Sequence, residues 1–138
     1  MVRRGRIRGI GSSTLKALRD LEAGAHWALA GAKGERAAGN GAAMRAAPLA
    51  FVLDPEDARD RATFRDACRI THHHDEAYAG ALAVMLAIRE VLREGTEDFV
   101  ASVVEHLPDS AVRDEGEAVA IHACIRMRRY IRPIGVRT

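Results

Sequence analysis

The sequence predicts an all-α protein, and three observations carry that prediction. Aromatic residues make up only 4% of the chain while 48% of it is hydrophobic. A core must then be built mostly from Ala, Val, Leu, Ile and Met, a palette that suits closely packed helices better than a β-sandwich. Apolar residues recur at spacings of three and four, and no segment alternates with period two. Helix start and stop signals recur along the chain. At 138 residues the chain suits one compact domain with a modest core.

The elements follow in order. Ser12 and Ser13 are N-cap candidates for a helix from Thr14 to about Ala23, with Gly24 placed to end it. Leu15, Leu18 and Leu21 share one face of it. A short helical piece around His26, Trp27 and Leu29 is expected next. Gly31, Gly34, Gly39 and Gly41 then punctuate an ordered loop. Apolar residues return at Ala42, and Pro48 should interrupt the helix that starts there. Asp54-Pro55-Glu56-Asp57 reads as a helix start, with Asp54 as cap and Pro55 at the first helical position. That helix should run to about Ile70, turning Ala58, Ala62, Phe64, Ala67 and Cys68 inward. After a break at Thr71 to His74, Asp75 and Glu76 open the longest helix, which Gly95 should stop. Tyr78, Ala81, Leu82, Met85, Ile88 and Leu92 mark its buried side. Thr96 is placed to cap a helix carrying Phe99, Val100, Val103, Val104 and Leu107. Asp109 or Ser110 should cap a last one reaching towards Tyr130.

Composition narrows the function classes. A net charge of +2 does not argue for nucleic acid, and the Arg-rich ends (Arg3, Arg4, Arg6 and Arg8; Arg126, Arg128, Arg129, Arg132 and Arg137) read as solvated termini. Cys68 and Cys124 form no metal-type pair and suit buried thiols in a reducing compartment. No apolar run follows the N-terminal charges, and Ala77 to Ile88 is too short to span a bilayer. A cytoplasmic protein without membrane or nucleic-acid partners is expected.

The most informative segment is Gly39-Asn40-Gly41-Ala42-Ala43-Met44-Arg45-Ala46-Ala47-Pro48. It reads as a glycine-flanked turn running straight into a helix. Glycines beside Asn40 would permit unusual backbone conformations and let a ligand approach the main chain. The first N–H groups of the new helix would favour an anion such as a pyrophosphate.

Asn40-Gly41-Ala42-Ala43-Met44-Arg45 with Ala47-Pro48 closely resembles the central motif of the ADP-ribosylglycohydrolase family. Ile70-Thr71-His72, an acidic helix start and the Ala-rich run Ala77 to Ala87 resemble its next motif. Gly9-Ile10-Gly11-Ser12-Ser13-Thr14 with Ala17-Leu18, and His106-Leu107-Pro108-Asp109-Ser110-Ala111-Val112, are similar to the flanking segments. The resemblance covers about residues 9–112. It implies a compact helical bundle that binds a pair of Mg²⁺ ions and cleaves the glycosidic bond between ADP-ribose and a protein side chain or related acceptor. It also implies that Gly39, Asn40 and Gly41 hold the diphosphate and that His72 lies near the nucleotide. Met44 and Arg45 would hold the loop against the bundle. Some relatives carry a serine ahead of Gly-Asn, where this chain has Ala37 and Ala38.

The family's metal ligands come from a Thr-Asp-Asp-Thr type motif near the N-terminus and an Asp-x-Asp-Thr type motif near the C-terminus. The sequence contains neither. Asp57 with Asp60, and Asp109 with Asp114, sit at ordinary helix starts, and hard cations need clustered oxygen ligands. The chain is therefore expected to be a partial domain lacking both metal-binding segments, with no metal or catalytic residues of its own. Two functions follow. It is a hydrolase fragment acting on ADP-ribose or ADP-ribosylated protein, completed by a complementary chain from a split gene. Alternatively it is a non-catalytic remnant or weak ADP-ribose-binding module.

Other clusters carry less. The run His72-His73-His74 lacks HExxH spacing, so His73 and His74 are expected to be exposed turn residues. Glu115 and Glu117 near Asp114 suit a helix first turn better than a carboxylate pair. Met44 and Met85 read as core.

Overall fold

The computed structural model describes residues 10–93 and 99–114. Its helices are α1 (Ser12–Glu22), α2 (Gly41–Ala46), α3 (Ala58–Arg69), α4 (Asp75–Arg93), α5 (Phe99–Glu105) and α6 (Ala111–Asp114). Two-residue strands β1 (Ala32–Lys33) and β2 (His72–His73) pair in parallel, with Ala32 opposite His72 and Lys33 opposite His73. The fold is all-α, with this small sheet as its one β feature among the described residues.

Helix α4 is the hub. Alanines at 77, 79, 81, 83 and 87, with Tyr78, Leu82, Met85, Leu86 and Ile88, are all buried, so neighbours cover the helix on most sides. Small side chains let those neighbours approach closely, and packing at crystal-like density then holds them. Helix α2 and the 3₁₀ segment Ala47–Phe51 lay Ala42, Ala46 and Ala50 against α4 at spacings of four. Pro48 lies inside that 3₁₀ segment, where the α-helical hydrogen bonding of α2 has ended. Phe64 and Cys68 of α3, Val103 of α5 and Leu107 complete the cluster. The Glu76 carboxylate accepts from the Ala111 and Val112 amides at 2.9 and 3.0 Å, fixing the start of α6 to the start of α4.

Several local expectations are corrected. Helix α1 starts at Ser12 with Gly11 as its uncapped N-cap, so Ser12 and Ser13 lie inside the helix and not ahead of it. Residues around Trp27 form a turn, not a helix. Helix α3 starts three residues later than expected. Asp57 caps it by accepting from the amides of Arg59 and Asp60, both at 2.9 Å, while Asp54 closes the preceding turn. With the start moved, Ala58 and Ala62 face solvent and only Phe64 and Cys68 are buried. Leu92 is 58% exposed near the end of α4. The Gly95 stop, the Thr96 cap and the helix beyond Asp114 lie outside the described residues. Among the described residues, no helix is long and apolar enough to cross a membrane.

The small sheet needs a glycine. Gly31 has φ +85°, and a Cβ there would lie 2.7 Å from the Ile70 carbonyl oxygen and 2.8 Å from Thr71 Cα. Its N–H donates to Asp20 at 3.0 Å, and the next residue, Ala32, donates to the Thr71 carbonyl at 3.0 Å. Gly24 has a similar φ of +87° but open surroundings. Gly24→Ala should therefore lose about 1–2 kcal/mol, the left-handed penalty alone. Gly31→Ala should lose clearly more, because it adds a backbone clash. Urea denaturation midpoints check this, and equal losses would contradict it.

Candidate functional site

The glycine turn ends in helix α2, whose first residue is Gly41. Among the described residues the left-handed glycines are Gly24, Gly31 and Gly34. Gly39 and Gly41 thus do not serve the unusual backbone conformation expected of them. Their reason is close approach: a Cβ on Gly41 would stand 2.6 Å from His72 Cε1 and 3.0 Å from its Nε2. A Cβ on Gly39 would lie 3.6 Å from the same Nε2. The imidazole occupies the space a side chain would need.

His72 is held in turn. It is 4% exposed, and its Nδ1 lies 2.6 Å from the Thr71 hydroxyl, which is itself buried. That hydroxyl has no other partner among the described residues. Satisfying its proton makes it donate to Nδ1 and leaves the ring proton on Nε2, the atom facing the glycine turn. Burial first, and the Arg45 cation second, hold the ring below its ordinary pKa of 6.5. His72 is therefore a neutral donor at neutral pH.

Arg45 binds the turn to the next helix. Its Nη1 donates to the Gly41 carbonyl at 3.2 Å, and its Nη2 donates to the Ala67 and Cys68 carbonyls at 2.9 and 3.1 Å. The latter two belong to the last turn of α3, where carbonyls lack helical partners and a cation is favoured. Arg45 thus holds the loop as expected. Met44 does not: it is 78% exposed, roughly 200° around the helix from the alanines that face α4. Beside Arg45, burial pushes the Cys68 thiol up to about 11, so it stays protonated and unreactive.

These residues line an open pocket of about 490 Å³. Gly39, Asn40, Gly41 and His72 form one wall, with Met44 beside them. The opposite wall is Ile10, Gly11 and the first turn of α1, Ser12, Ser13 and Thr14, and Arg36 supplies a cation. Sequence reasoning missed Arg36 and took the serines as caps. The run of three hydroxyl residues at a helix start was the available signal. His73 and His74 are half-buried, not exposed, because pairing with β1 draws them in. His73 Nε2 lies 2.7 Å from the Ala30 carbonyl, and His74 Nδ1 accepts from the Glu76 amide at 3.1 Å.

A model of the ADP-ribosylglycohydrolase family matches residues 1–133. The chain belongs to this family. It is also similar to a protein of Archaeoglobus fulgidus described as uncharacterized, at 32% identity over 127 residues. That alignment covers 81% of this chain and 41% of the relative, so the chain spans less than half of that relative's length. No solved structure matches.

An ADP-ribosylglycohydrolase is expected to hold a Mg²⁺ pair, and the pocket walls offer it no carboxylate. Among the described residues no group of three or more His, Cys, Asp or Glu converges. Asp57 caps α3, Asp60 accepts the Asp54 amide at 2.8 Å, and Asp109 pairs with Arg113 at 2.6 Å. These residues do not fit hard cations, which require clustered oxygens. The candidate acids Glu115 and Glu117 lie outside the described residues.

Two outcomes follow for this pocket. Arg45→Met should destabilise by about 2–4 kcal/mol in urea, because three carbonyls lose a charged donor. Arg45→Lys should recover only part, since an ammonium cannot reproduce the guanidinium fork; full recovery would contradict the clamp. His72 also makes stability depend on pH. Its folded pKa lies below 6.5, so the unfolded chain binds the extra proton, and this contribution is complete above that value and declines as pH falls through it. His72→Gln should flatten that decline in thermal unfolding between neutral pH and pH values below the imidazole range.

Proposed function

We propose that this chain is the ADP-ribose-recognising portion of an ADP-ribosylglycohydrolase. The reading rests on one observation: Gly39, Asn40, Gly41 and His72, from two motifs far apart in sequence, meet in one pocket. A diphosphate suits that pocket. Arg36 supplies positive charge, the glycines leave the main chain accessible, and the neutral His72 Nε2–H offers a donor. The family's reaction, cleavage of the glycosidic bond of an ADP-ribosylated acceptor, would need acidic metal ligands carried by another chain or by the remainder of a longer one. No catalytic step is assigned to the residues here.

A second reading has its own support. The pocket is lined by no carboxylate, as suits a module that binds ADP-ribose without turning it over. One pair of experiments separates the readings. The purified chain should bind ADP-ribose in calorimetry, and Gly41→Val should abolish binding by obstructing both the ligand and His72. It should release no ADP-ribose from modified protein with or without Mg²⁺. Turnover that appears with Mg²⁺ and disappears on chelation would contradict the assignment of chemistry to other segments. Equal affinity of wild type and Gly41→Val would remove the pocket as the site.

A further inference from the structure

We propose that the Ser13 hydroxyl is a ligand contact, part of a phosphoryl subsite formed by the first turn of α1 across the pocket from the glycine turn. This rests on the reading of the pocket as an ADP-ribose site and adds its second wall. Ser13 is 8% exposed, yet its hydroxyl has no hydrogen-bond partner among the described residues. It lines the pocket together with Ser12, Thr14, Arg36 and His72.

An orphan hydroxyl at such burial is costly in a ligand-free protein, because its lost hydration is not replaced. The cost disappears if a ligand oxygen completes it. Its surroundings select an anionic oxygen. Helix α1 has eleven residues, its N-cap Gly11 offers no side-chain cap, and its first helical bond runs from the Leu15 amide to the Gly11 carbonyl at 3.0 Å. The amides of Ser12, Ser13 and Thr14 precede that bond and have no helical acceptor. Uncapped amides, a free hydroxyl and the Arg36 guanidinium all complement negative charge. Relatives with a serine before the Gly-Asn pair carry a hydroxyl on the glycine side, where this chain has Ala37 and Ala38. Here the hydroxyl comes from α1.

The test uses the full chain, Ser13→Ala, and two probes, inorganic pyrophosphate and ADP-ribose. Without ligand, Ser13→Ala should unfold at the same temperature as wild type or higher, because it removes an unsatisfied group. In calorimetry it should bind both probes about tenfold more weakly, the loss of one hydrogen bond to a charged oxygen. In ¹⁵N-labelled wild type, the amides of Ser12, Ser13 and Thr14 should shift with pyrophosphate alongside those of Gly39 and Gly41.

A lower unfolding temperature for ligand-free Ser13→Ala would make the hydroxyl structural and overturn the proposal. Weaker binding of ADP-ribose with unchanged binding of pyrophosphate would move the contact to a ribose and overturn the phosphoryl assignment. Equal affinity of both proteins for both probes overturns the role of Ser13 alone and leaves the pocket reading standing. No binding of either probe by wild type overturns both.

Discussion

The Arg45 guanidinium sits where three backbone carbonyls converge, and the geometry of the pocket follows from satisfying them. Two are the orphan carbonyls that close α3, and the third opens α2. A cation there favours the end of one helix and ties it to the start of another. Once α3 ends at a fixed place, Thr71 and His72 follow immediately, and β2 pairs with β1. The ring of His72 then falls against Gly41. The same cation helps to keep that ring uncharged. One side chain thus links the local turn, the packing of two helices and the protonation state of a pocket residue.

The second constraint is the small size of the core residues. Ala42, Ala46 and Ala50 seat α2 and its 3₁₀ extension closely on α4. That face is narrow, so larger apolar residues on the same segment stay outside, among them Met44, Phe51 and Val52. Met44 borders the pocket, so the exposed apolar stripe and the candidate site adjoin. Side chains exposed in this way favour association with further protein surface.

Much of this was legible in the sequence. Helix α4 announces itself through Asp75 and Glu76 and the apolar spacing behind them, and its hub position follows from apolar residues on most of its faces. The glycine turn and His72 were readable as site residues because their motifs are continuous stretches. What stayed hidden depends on contacts between distant residues. The reason for Gly41 is an imidazole from another element, which no local pattern records. Each strand of the sheet has only two residues, too few for alternation to show, and a parallel pair has no local turn signal. Asp54-Pro55-Glu56-Asp57 offers two capping aspartates, and the preference for Asp57 comes from two amides it alone reaches. Ser13 resembles a cap in sequence, and only its buried, partnerless hydroxyl marks it as something else.

If the site is organised around the His72 ring, Gly41 is glycine only because that ring is there. Its backbone is not left-handed, so alanine at the start of α2 carries no intrinsic penalty. The direct measurement is a double-mutant cycle on stability, with Gly41→Ala made in wild type and in His72→Ala. The account predicts that Gly41→Ala is destabilising in wild type and neutral or stabilising once the ring is gone. The same loss in both backgrounds would contradict it.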